Sequence, residues 1–301
     1  MSTSNPSGSL TALLSLLAAG ACLGASTTLA RVAGDLGLAP LPFLAWSIVG
    51  AAAMLMALAW RRGALPPVTR RTAVYFAIAA FVTVAGSNLI FFSAVPQVGV
   101  GFVSLTITLP PLLTYLGALA FGLERFQPMR AAGVAAALAG AGVLAFEKLA
   151  APDAAVGWVL LSLLGPVLLA IGNLYRTMRW PPGLRPSELA PGMMVAAAVM
   201  LLLAGLLPGF TLRLPEAWVA PLGLIVVQAA IFTAQFLLLF VLQRTGGPVL
   251  LSLLGAVGAI VAVPAAILLL GEAPPGGLAL GAGLIAAGIA LVSLGGRRAS
   301  A

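Results

Sequence analysis

The sequence predicts an all-α membrane protein in which ten transmembrane helices form two inverted five-helix repeats around a central cavity. The 301-residue chain is 61% hydrophobic and 7% charged, with a mean hydropathy of +1.14, which excludes an ordinary soluble domain. Ten apolar runs are long enough to cross about 30 Å of hydrocarbon, which takes roughly 20 residues each. Glutamate and glycine residues also recur at a fixed spacing, which predicts the duplication.

The ten runs without charge in their middles define the predicted helices, called spans 1 to 10. In chain order they cover residues 10–33, 42–60, 72–92, 98–121, 129–146, 157–175, 189–207, 218–242, 248–270 and 277–294. The loops between them are short and leave no room for a soluble catalytic domain. Residues 1–150 form the first repeat and residues 151–301 the second. Span 1 is too long for a signal-peptide core, so we expect it in the mature protein.

The basic residues indicate how the helices are inserted. If the N-terminus is cytoplasmic, twelve of the 15 basic residues fall in inner loops or at the C-terminus, and only Arg31, Lys148 and Arg213 fall outside. This distribution follows the positive-inside rule, and an even number of spans returns the chain to the same side. We therefore expect both termini in the cytoplasm. The net charge of +8 then reflects membrane insertion and not nucleic-acid binding.

A shift of 148 residues superimposes the two halves of the sequence. It places Gly99, Ser104, Leu105, Glu124, Gly133 and Gly140 on Gly247, Ser252, Leu253, Glu272, Gly281 and Gly288. The paired glutamates matter most, because the chain has only seven acidic residues. Five spans per repeat force the second repeat to be inverted, and inverted repeats place a substrate site near the midplane where the halves meet. The pattern predicts a small-molecule transporter that works by alternating access.

Polar side chains indicate which helices line the predicted cavity, because polar groups at membrane depth face the interior of a helix bundle or a water-filled path. They concentrate on spans 1, 3, 4, 6, 8 and 9. With nearby aromatic rings, the predicted substrate-cavity residues are Thr27, Thr28, Ser87, Asn88, Phe91, Ser104, Thr108, Tyr115, Trp158, Asn173, Tyr175, Gln228, Gln235 and Ser252. Any single Ser or Thr has an alternative role in hydrogen bonding its own or a neighbouring helix. The large amides Asn88, Gln228 and Gln235 favour the cavity, since they need polar partners.

Prolines and glycines on spans 4 and 9 predict gates. Pro110, Pro111 and Pro264 each remove a backbone hydrogen bond in mid-span and favour a kink. Together with Gly99 and Gly255, they are the predicted hinges about which spans 4 and 9 close alternate sides of the cavity. A packing role without gating is the alternative.

Four charged residues near the membrane boundaries have two interpretations each. Arg31 and Arg176 end spans 1 and 6, where a guanidinium either holds a substrate carboxylate or extends to the interface. Glu124 and Glu272 open short turns, where a carboxylate either couples transport to protons or binds a loop cation.

Several chemistries are missing from the sequence. The chain has no His, one Cys and no acidic residue in the middle of a predicted span. We therefore expect no metal site and no cofactor, and we expect that the protein is not an enzyme. It also lacks a Gly-rich phosphate loop for ATP. These absences favour facilitated exchange or diffusion of a small-molecule substrate.

Two stretches of the sequence resemble a known transporter family. The segment Ser104–Phe126, SLTITLPPLLTYLGALAFGLERF, followed by GVAAALAGAGVLAF, resembles the fourth and fifth helices of the drug/metabolite transporter superfamily, EamA type. The segment Leu250–Glu272, followed by GLALGAGLIAAGIALVSLG, is similar to the closing helices of that family. The resemblance implies a ten-helix inner-membrane exporter of metabolites with spans 1, 3, 4, 6, 8 and 9 around the cavity. Within the family, the chain looks most like the aromatic amino acid exporters.

The resemblance to these exporters implies a substrate and its contacts. A zwitterionic aromatic substrate suits an apolar cavity with few amides, with Phe91, Tyr115 and Tyr175 as ring contacts and Asn88 or Gln235 at the polar end. We expect the monomer, in its lipid bilayer, to be the functional unit. A drug or other metabolite exporter of the same fold and a passive channel are the alternatives.

Overall fold

The computed structural model describes residues 6–150, 155–245, 254–274 and 276–299. All regular structure in these ranges is helical, and eight helices there are long and apolar enough to cross a membrane. These eight correspond to predicted spans 1 to 8. Two shorter apolar helices, Leu254–Leu268 and Leu278–Val292, occupy the places of spans 9 and 10. A multi-pass membrane protein is therefore consistent with the structure, and the total of ten spans stays a prediction.

The helices are labelled α1 to α12 in chain order. They are α1 Pro6–Asp35, α2 Pro40–Arg61, α3 Arg70–Ala80, α4 Gly86–Val98, α5 Val100–Thr106, α6 Pro110–Ala120, α7 Pro128–Leu149, α8 Val156–Arg179, α9 Pro186–Ala204, α10 Val219–Thr245, α11 Leu254–Leu268 and α12 Leu278–Ala299. Span 3 thus comprises α3 and α4, and span 4 comprises α5 and α6.

Proline is the first residue of five of these helices, α1, α2, α6, α7 and α9, for a local reason. Prolines occupy the first turn of α2, α6, α7 and α9, where the missing N–H has no intrahelical acceptor and the fixed φ already suits a helix. The start of α3 uses a capping box instead, in which Thr69 and Thr72 satisfy each other's backbone N–H groups. Gly37, with φ of +72°, makes the tight turn between α1 and α2.

Two departures from regular α-helix occur in spans 3 and 4. A π-helical segment, Phe81–Ala85, joins α3 to α4 without interrupting the span. Span 4 is broken at residues 107–109, where the backbone N–H groups of Thr108 and Leu109 bond three residues back, and Pro110 restarts the helix. Pro264, in contrast, lies inside the continuous helix α11.

Close glycine contacts join α7 to α12. A methyl group at Gly140 would lie 2.5 Å from the carbonyl oxygen of Gly281, and one at Gly133 would lie 2.6 Å from that of Gly288. The pairing runs in opposite directions along the two helices, so they are antiparallel. Small residues let helix backbones approach closely in a bilayer, where apolar burial gives no drive for association.

The remaining helices pack around a common centre. α1 contacts α10 and α11, α8 contacts α4 and α6, and α2 and α9 lie against each other outside them. Gly165 and Gly172 of α8 meet Phe91 and Thr83 of span 3 in reverse order, so these helices are antiparallel. Spans 1, 3, 4, 6, 8 and 9 therefore surround the interior.

We expect Gly140→Ala to destabilise the protein by about 1–3 kcal/mol, because the added methyl group overlaps the Gly281 backbone, which cannot move aside like a side chain. Thermal unfolding of the purified protein in detergent measures the change. The matched control is Gly142→Ala, two residues along the same helix, where an added methyl group meets no atom within 4 Å. Equal unfolding temperatures for the two variants would contradict the close contact.

Candidate functional site

A cavity of about 150 Å³ lies where spans 1, 3, 4, 6, 8 and 9 meet. Its walls are mainly aliphatic and aromatic, with a few polar groups that point inward. The lining residues are Leu23, Thr83, Ser87, Asn88, Phe91, Ile107, Pro110, Pro111, Leu169, Asn173, Arg176, Phe232, Gln235, Phe236, Leu239, Leu254 and Gly255. Of the residues predicted from sequence, the cavity brings together Ser87, Asn88, Phe91, Asn173, Gln235, Pro110, Pro111, Gly255 and Arg176.

Several lining residues form pairs that are 148 positions apart. Ser87 pairs with Gln235, Asn88 with Phe236, Phe91 with Leu239 and Ile107 with Gly255. In the last pair, a methyl group at Gly255 would overlap the carbonyl oxygen of Ile107, so the broken part of span 4 touches the start of α11. Positions that are 148 residues apart in the sequence thus line the same cavity.

Two polar side-chain atoms of residues that line the cavity lack partners among the described residues. Ser87 is 0% exposed and its hydroxyl has no hydrogen-bond partner among the described residues. The same holds for the buried side-chain carbonyl oxygen of Gln235. Asn88 donates its amide to the carbonyl oxygen of Val84 at 2.8 Å. Buried polar groups without partners cost free energy, so a ligand or water that reaches Ser87 and Gln235 gains these hydrogen bonds.

The π-helical segment also borders the cavity. Thr83, at its centre, lines the cavity and donates its hydroxyl to the carbonyl oxygen of Ala79 at 2.5 Å. π-Helical turns often occur at functional sites. Sequence reasoning missed this turn and also missed the rings Phe232 and Phe236. The 148-residue spacing that relates Asn88 to Phe236 is a signal that could have found one of them.

Arg176 lies at one end of the cavity and belongs to a chain of hydrogen bonds. Its Nη2 donates to Oδ1 of Asn173 at 2.7 Å, and Nδ2 of Asn173 donates to the hydroxyl of Thr114 at 3.3 Å. Thr114 in turn donates to the carbonyl oxygen of Pro110 at 2.7 Å. Among the described residues, no carboxylate lies within ion-pair distance of Arg176.

Arg31, the other predicted anchor, has a different environment. Its Nε lies 3.3 Å from a carboxylate oxygen of Asp35, and its Nη1 donates to the carbonyl oxygen of Pro96 at 3.4 Å. It does not line the cavity. The structure therefore separates two arginines that sequence reasoning treated alike, since Arg31 has an acidic partner and Arg176 faces the cavity.

Glu272 lies at the opposite end of the bundle from Arg176, beside the start of α5. Its carboxylate accepts hydrogen bonds from the backbone N–H groups of Val100 at 2.9 Å and Gly101 at 3.2 Å. Gly99, with φ of +90°, brings the backbone into this contact. A methyl group at Gly99 would lie 3.0 Å from a carboxylate oxygen of Glu272. Glu272 thus links the end of α11 to the start of span 4.

Glu124, which lies 148 residues before Glu272, makes a different contact. Its carboxylate pairs with Arg130, whose guanidinium lies 5.3 Å from the ring centre of Tyr115. The hydroxyl of Tyr115 accepts a hydrogen bond of 3.0 Å from the backbone N–H of Gln127. This cluster joins α6 to α7 and places both Glu124 and Tyr115 away from the cavity.

The other predicted site residues lie elsewhere in the bundle. Thr27 and Thr28 donate their hydroxyls to carbonyl oxygens four residues back in their own helix, and Thr108 donates to the carbonyl oxygen of Leu105 at the break in span 4. Gln228 donates to Ser26 at 2.5 Å, and Tyr175 stacks on Tyr75 with ring centres 5.8 Å apart. Ser104 is buried without a described partner, and Ser252 lies outside the described residues. Of the predicted site residues, the cavity thus collects Ser87, Asn88, Phe91, Asn173, Arg176 and Gln235, with the hinges Pro110, Pro111 and Gly255.

Trp158 lines a second crevice of about 600 Å³ between α2, α4, α8 and residues 209–211. Its walls include Phe81, Leu161 and Phe210 and are almost entirely apolar. An apolar crevice without convergent polar groups fits lipid better than a polar metabolite, so the smaller central cavity is the better candidate site. Among the described residues, no cluster of three His, Cys, Asp or Glu side chains offers a metal site.

Comparison with known families connects this geometry to transport. Residues 10–146 match the model of the EamA-like transporter family. This part of the chain is similar to an EamA-like transporter domain, and we call it the EamA-like domain. The match covers somewhat less than half of the chain, from α1 to near the end of α7, and suggests a membrane transporter of small molecules.

Comparison with solved structures extends the fold to the whole chain. One protein of known crystal structure aligns with 99% of this chain and 100% of its own, with a TM-score of 0.66 and 21% sequence identity. At this identity, the alignment shows a shared fold and nothing about the substrate. A search of curated protein sequences finds no match. The EamA-like domain supplies one wall of the cavity, through Ser87, Asn88 and Phe91, and the part of the chain after it supplies the other.

We expect Glu272→Ala to destabilise the protein by about 1.5–3 kcal/mol, because it removes two charge-assisted hydrogen bonds to the EamA-like domain. Glu272→Gln keeps one acceptor oxygen and should lose less. Thermal unfolding in detergent compares both with Glu216→Ala, which removes the same charge from an exposed loop. If all three unfold at the wild-type temperature, the contact contributes no stability.

Proposed function

We propose that this protein is a secondary transporter that exports small metabolites, most of all aromatic amino acids. It carries them across the cell inner membrane by alternating access. One observation supports it above all: a central cavity whose walls combine positions 148 residues apart, in a chain whose first part is similar to the EamA-like family. A site shared by two inverted repeats becomes accessible from either side when the repeats rock against each other.

The contacts between helices support the inverted repeats, with residues 1–150 and 151–301 as the two units. Exchange of the halves converts the contact of α1 with α10 into that of α8 with α4, and both contacts are present. It likewise converts the contact of α1 with α11 into that of α8 with α6. The contact of Gly133 with Gly288 becomes that of Gly281 with Gly140. A pseudo-twofold axis between the halves accounts for all three relations.

The lining supports a substrate with an apolar ring and a polar head group. Phe91, Phe232 and Phe236 offer rings, and Ser87 and Gln235 offer hydrogen-bonding groups without protein partners. Aromatic rings prefer offset or edge contacts with other rings, which adds to the burial of their apolar surface. In this pose, the ring contacts come from phenylalanines, since Tyr115 and Tyr175 lie outside the cavity.

The gates of this transporter are spans 4 and 9. They touch where Ile107 meets Gly255, at the break in span 4, and Glu272 connects them at the opposite end from Arg176. A movement about residues 107–109 therefore separates Glu272 from α5 and opens that end while the other end closes. Gly99 and Pro264 are the further hinges of this scheme.

The positive-inside distribution of arginine supports cytoplasmic termini, and the location of the whole cavity within one chain supports a functional monomer. Among the described lining residues there is no carboxylate, which supports facilitated exchange without proton coupling. The interfacial glutamates Glu124 and Glu272 are the groups that a coupled mechanism would need.

Proteoliposomes that contain unlabelled phenylalanine should accumulate labelled phenylalanine and tryptophan by counterflow, without an imposed pH gradient, because the carrier exchanges substrate across its two gates. Gln235→Leu should lower uptake severalfold, since it removes the amide from the cavity wall. Gln228→Leu, on the same helix but bonded to Ser26, should affect stability instead.

Other results would change the proposal. Uptake that neither saturates nor shows counterflow indicates a passive channel. Acceleration by a pH gradient indicates proton coupling, and no uptake of either amino acid indicates a drug or other metabolite exporter.

The double change of Pro110 and Pro111 to Ala should slow counterflow severalfold, because the new backbone N–H groups allow α5 and α6 to join into a straighter, stiffer span. Pro191→Ala is the matched control, since this proline lies inside α9 and does not line the cavity. The initial rate of counterflow, normalised to the amount of protein in the liposomes, measures both. Equal rates in the two variants and the wild type would exclude a hinge in span 4.

A further inference from the structure

The central cavity has one cationic side chain and no acidic one among its described lining residues. Arg176 supplies the positive charge. None of the six acidic residues in the described ranges lines the cavity. Glu272 binds the backbone of α5, Glu124 pairs with Arg130, and Asp35 pairs with Arg31, while Glu147, Glu188 and Glu216 lie near helix ends or in a loop. A substrate that enters the cavity therefore meets an unbalanced positive charge at one end.

The guanidinium of Arg176 is held in one orientation, but most of its N–H donors have no acceptor among the described residues. Its only hydrogen bond to described residues is the one that Nη2 donates to Asn173 at 2.7 Å. An arginine has five N–H donors in a planar fork, so the other donors are available to a ligand. Asn173 is itself held by Thr114, and Thr114 by the carbonyl oxygen of Pro110. This chain of hydrogen bonds fixes the direction of the fork before a ligand arrives.

A carboxylate is the group that fits this arrangement. A planar carboxylate accepts two parallel hydrogen bonds from a guanidinium, and such charge-assisted pairs are about twice as strong as neutral ones. The low dielectric constant of the cavity further strengthens the attraction of opposite charges. An ammonium group finds no carboxylate partner in the same cavity, and only neutral oxygens such as those of Ser87 and Gln235 face it.

We propose that Arg176 is the carboxylate anchor of the cavity, and that the protein selects small carboxylates with an apolar body whether or not they have an ammonium group. The inference rests on the proposed function for its cavity and deepens it by naming the group that is recognised. In the bound state, the carboxylate lies against Arg176 and the apolar body lies among Phe91, Phe232 and Phe236.

Competition between analogues tests which charge matters. Unlabelled 3-phenylpropionate should inhibit counterflow of labelled phenylalanine at least as well as phenylalanine does, because it keeps the carboxylate and lacks the unpaired ammonium. The neutral 3-phenylpropionamide and the cationic phenylalanine amide should inhibit at least about tenfold more weakly, since each lacks the charge that pairs with Arg176. Equal inhibition by all four compounds would overturn the proposal.

Substitutions test whether Arg176 is the anchor. Arg176→Gln should weaken binding of 3-phenylpropionate about tenfold or more, and Arg176→Lys should be intermediate, because it keeps the charge but not the fork. Arg179→Gln is the matched control, since Arg179 is exposed on the same helix and lies outside the cavity. Binding is measured as the shift in thermal unfolding temperature that 3-phenylpropionate produces in detergent, so it does not depend on transport.

The two readouts separate this inference from the proposed function. A stabilising shift that disappears in Arg176→Gln supports the anchor even if no aromatic amino acid is transported. Counterflow and ligand shifts that are the same in wild type, Arg176→Gln and Arg179→Gln would show that Arg176 only extends to the interface, while transport stands. If Arg176→Gln does not fold, the affinity of Arg176→Lys for 3-phenylpropionate tests the proposal instead. A wild-type affinity in that variant would contradict recognition by the planar guanidinium.

Discussion

The absence of water in the hydrocarbon is the constraint on which the rest of this structure depends. Backbone groups there must find partners within a helix, and irregular backbone is tolerated only where it is buried in protein or lines a cavity. The described spans depart from regular α-helix at the π-helical segment and at the break in span 4. Both border the central cavity, through Thr83 and Ile107. The irregular geometry and the candidate site therefore coincide for a physical reason.

The same constraint explains how the helices associate. In a bilayer, the apolar faces of helices gain little by leaving lipid, so close packing and hydrogen bonds hold the bundle together. Glycines at the contacts of α7 with α12 and of α1 with α11 permit this close approach. Side-chain hydrogen bonds such as that of Gln228 with Ser26 add to it. The helix contacts around the cavity thus rely on small residues. Of the large amides, Gln228 joins two helices, whereas Asn88 and Gln235 line the cavity.

Symmetry and its violations have different roles in this chain. Positions 148 residues apart line the same cavity, which suits the alternating access that we propose. The charges break the symmetry. The position 148 residues before Arg176 is Thr28, which bonds its own helix, and Glu124 and Glu272 have unlike partners. A cation at one end of the cavity and a carboxylate link at the opposite end of the bundle make the two ends chemically distinct.

The sequence by itself determined eight candidate membrane-spanning segments, because hydropathy sums over whole helices and these runs of apolar residues are long. It also placed Ser87, Asn88, Asn173 and Gln235 among the candidate residues, because polar side chains are rare in such helices. Only the tertiary structure decided which of the candidates meet. Helices that are apolar on every side do not encode the face that looks inward, so Phe232 was missed and Tyr115 was included. The partner of each charge was also decided by contacts between distant segments, which is why Arg31 and Arg176, alike in sequence, have opposite environments in the fold.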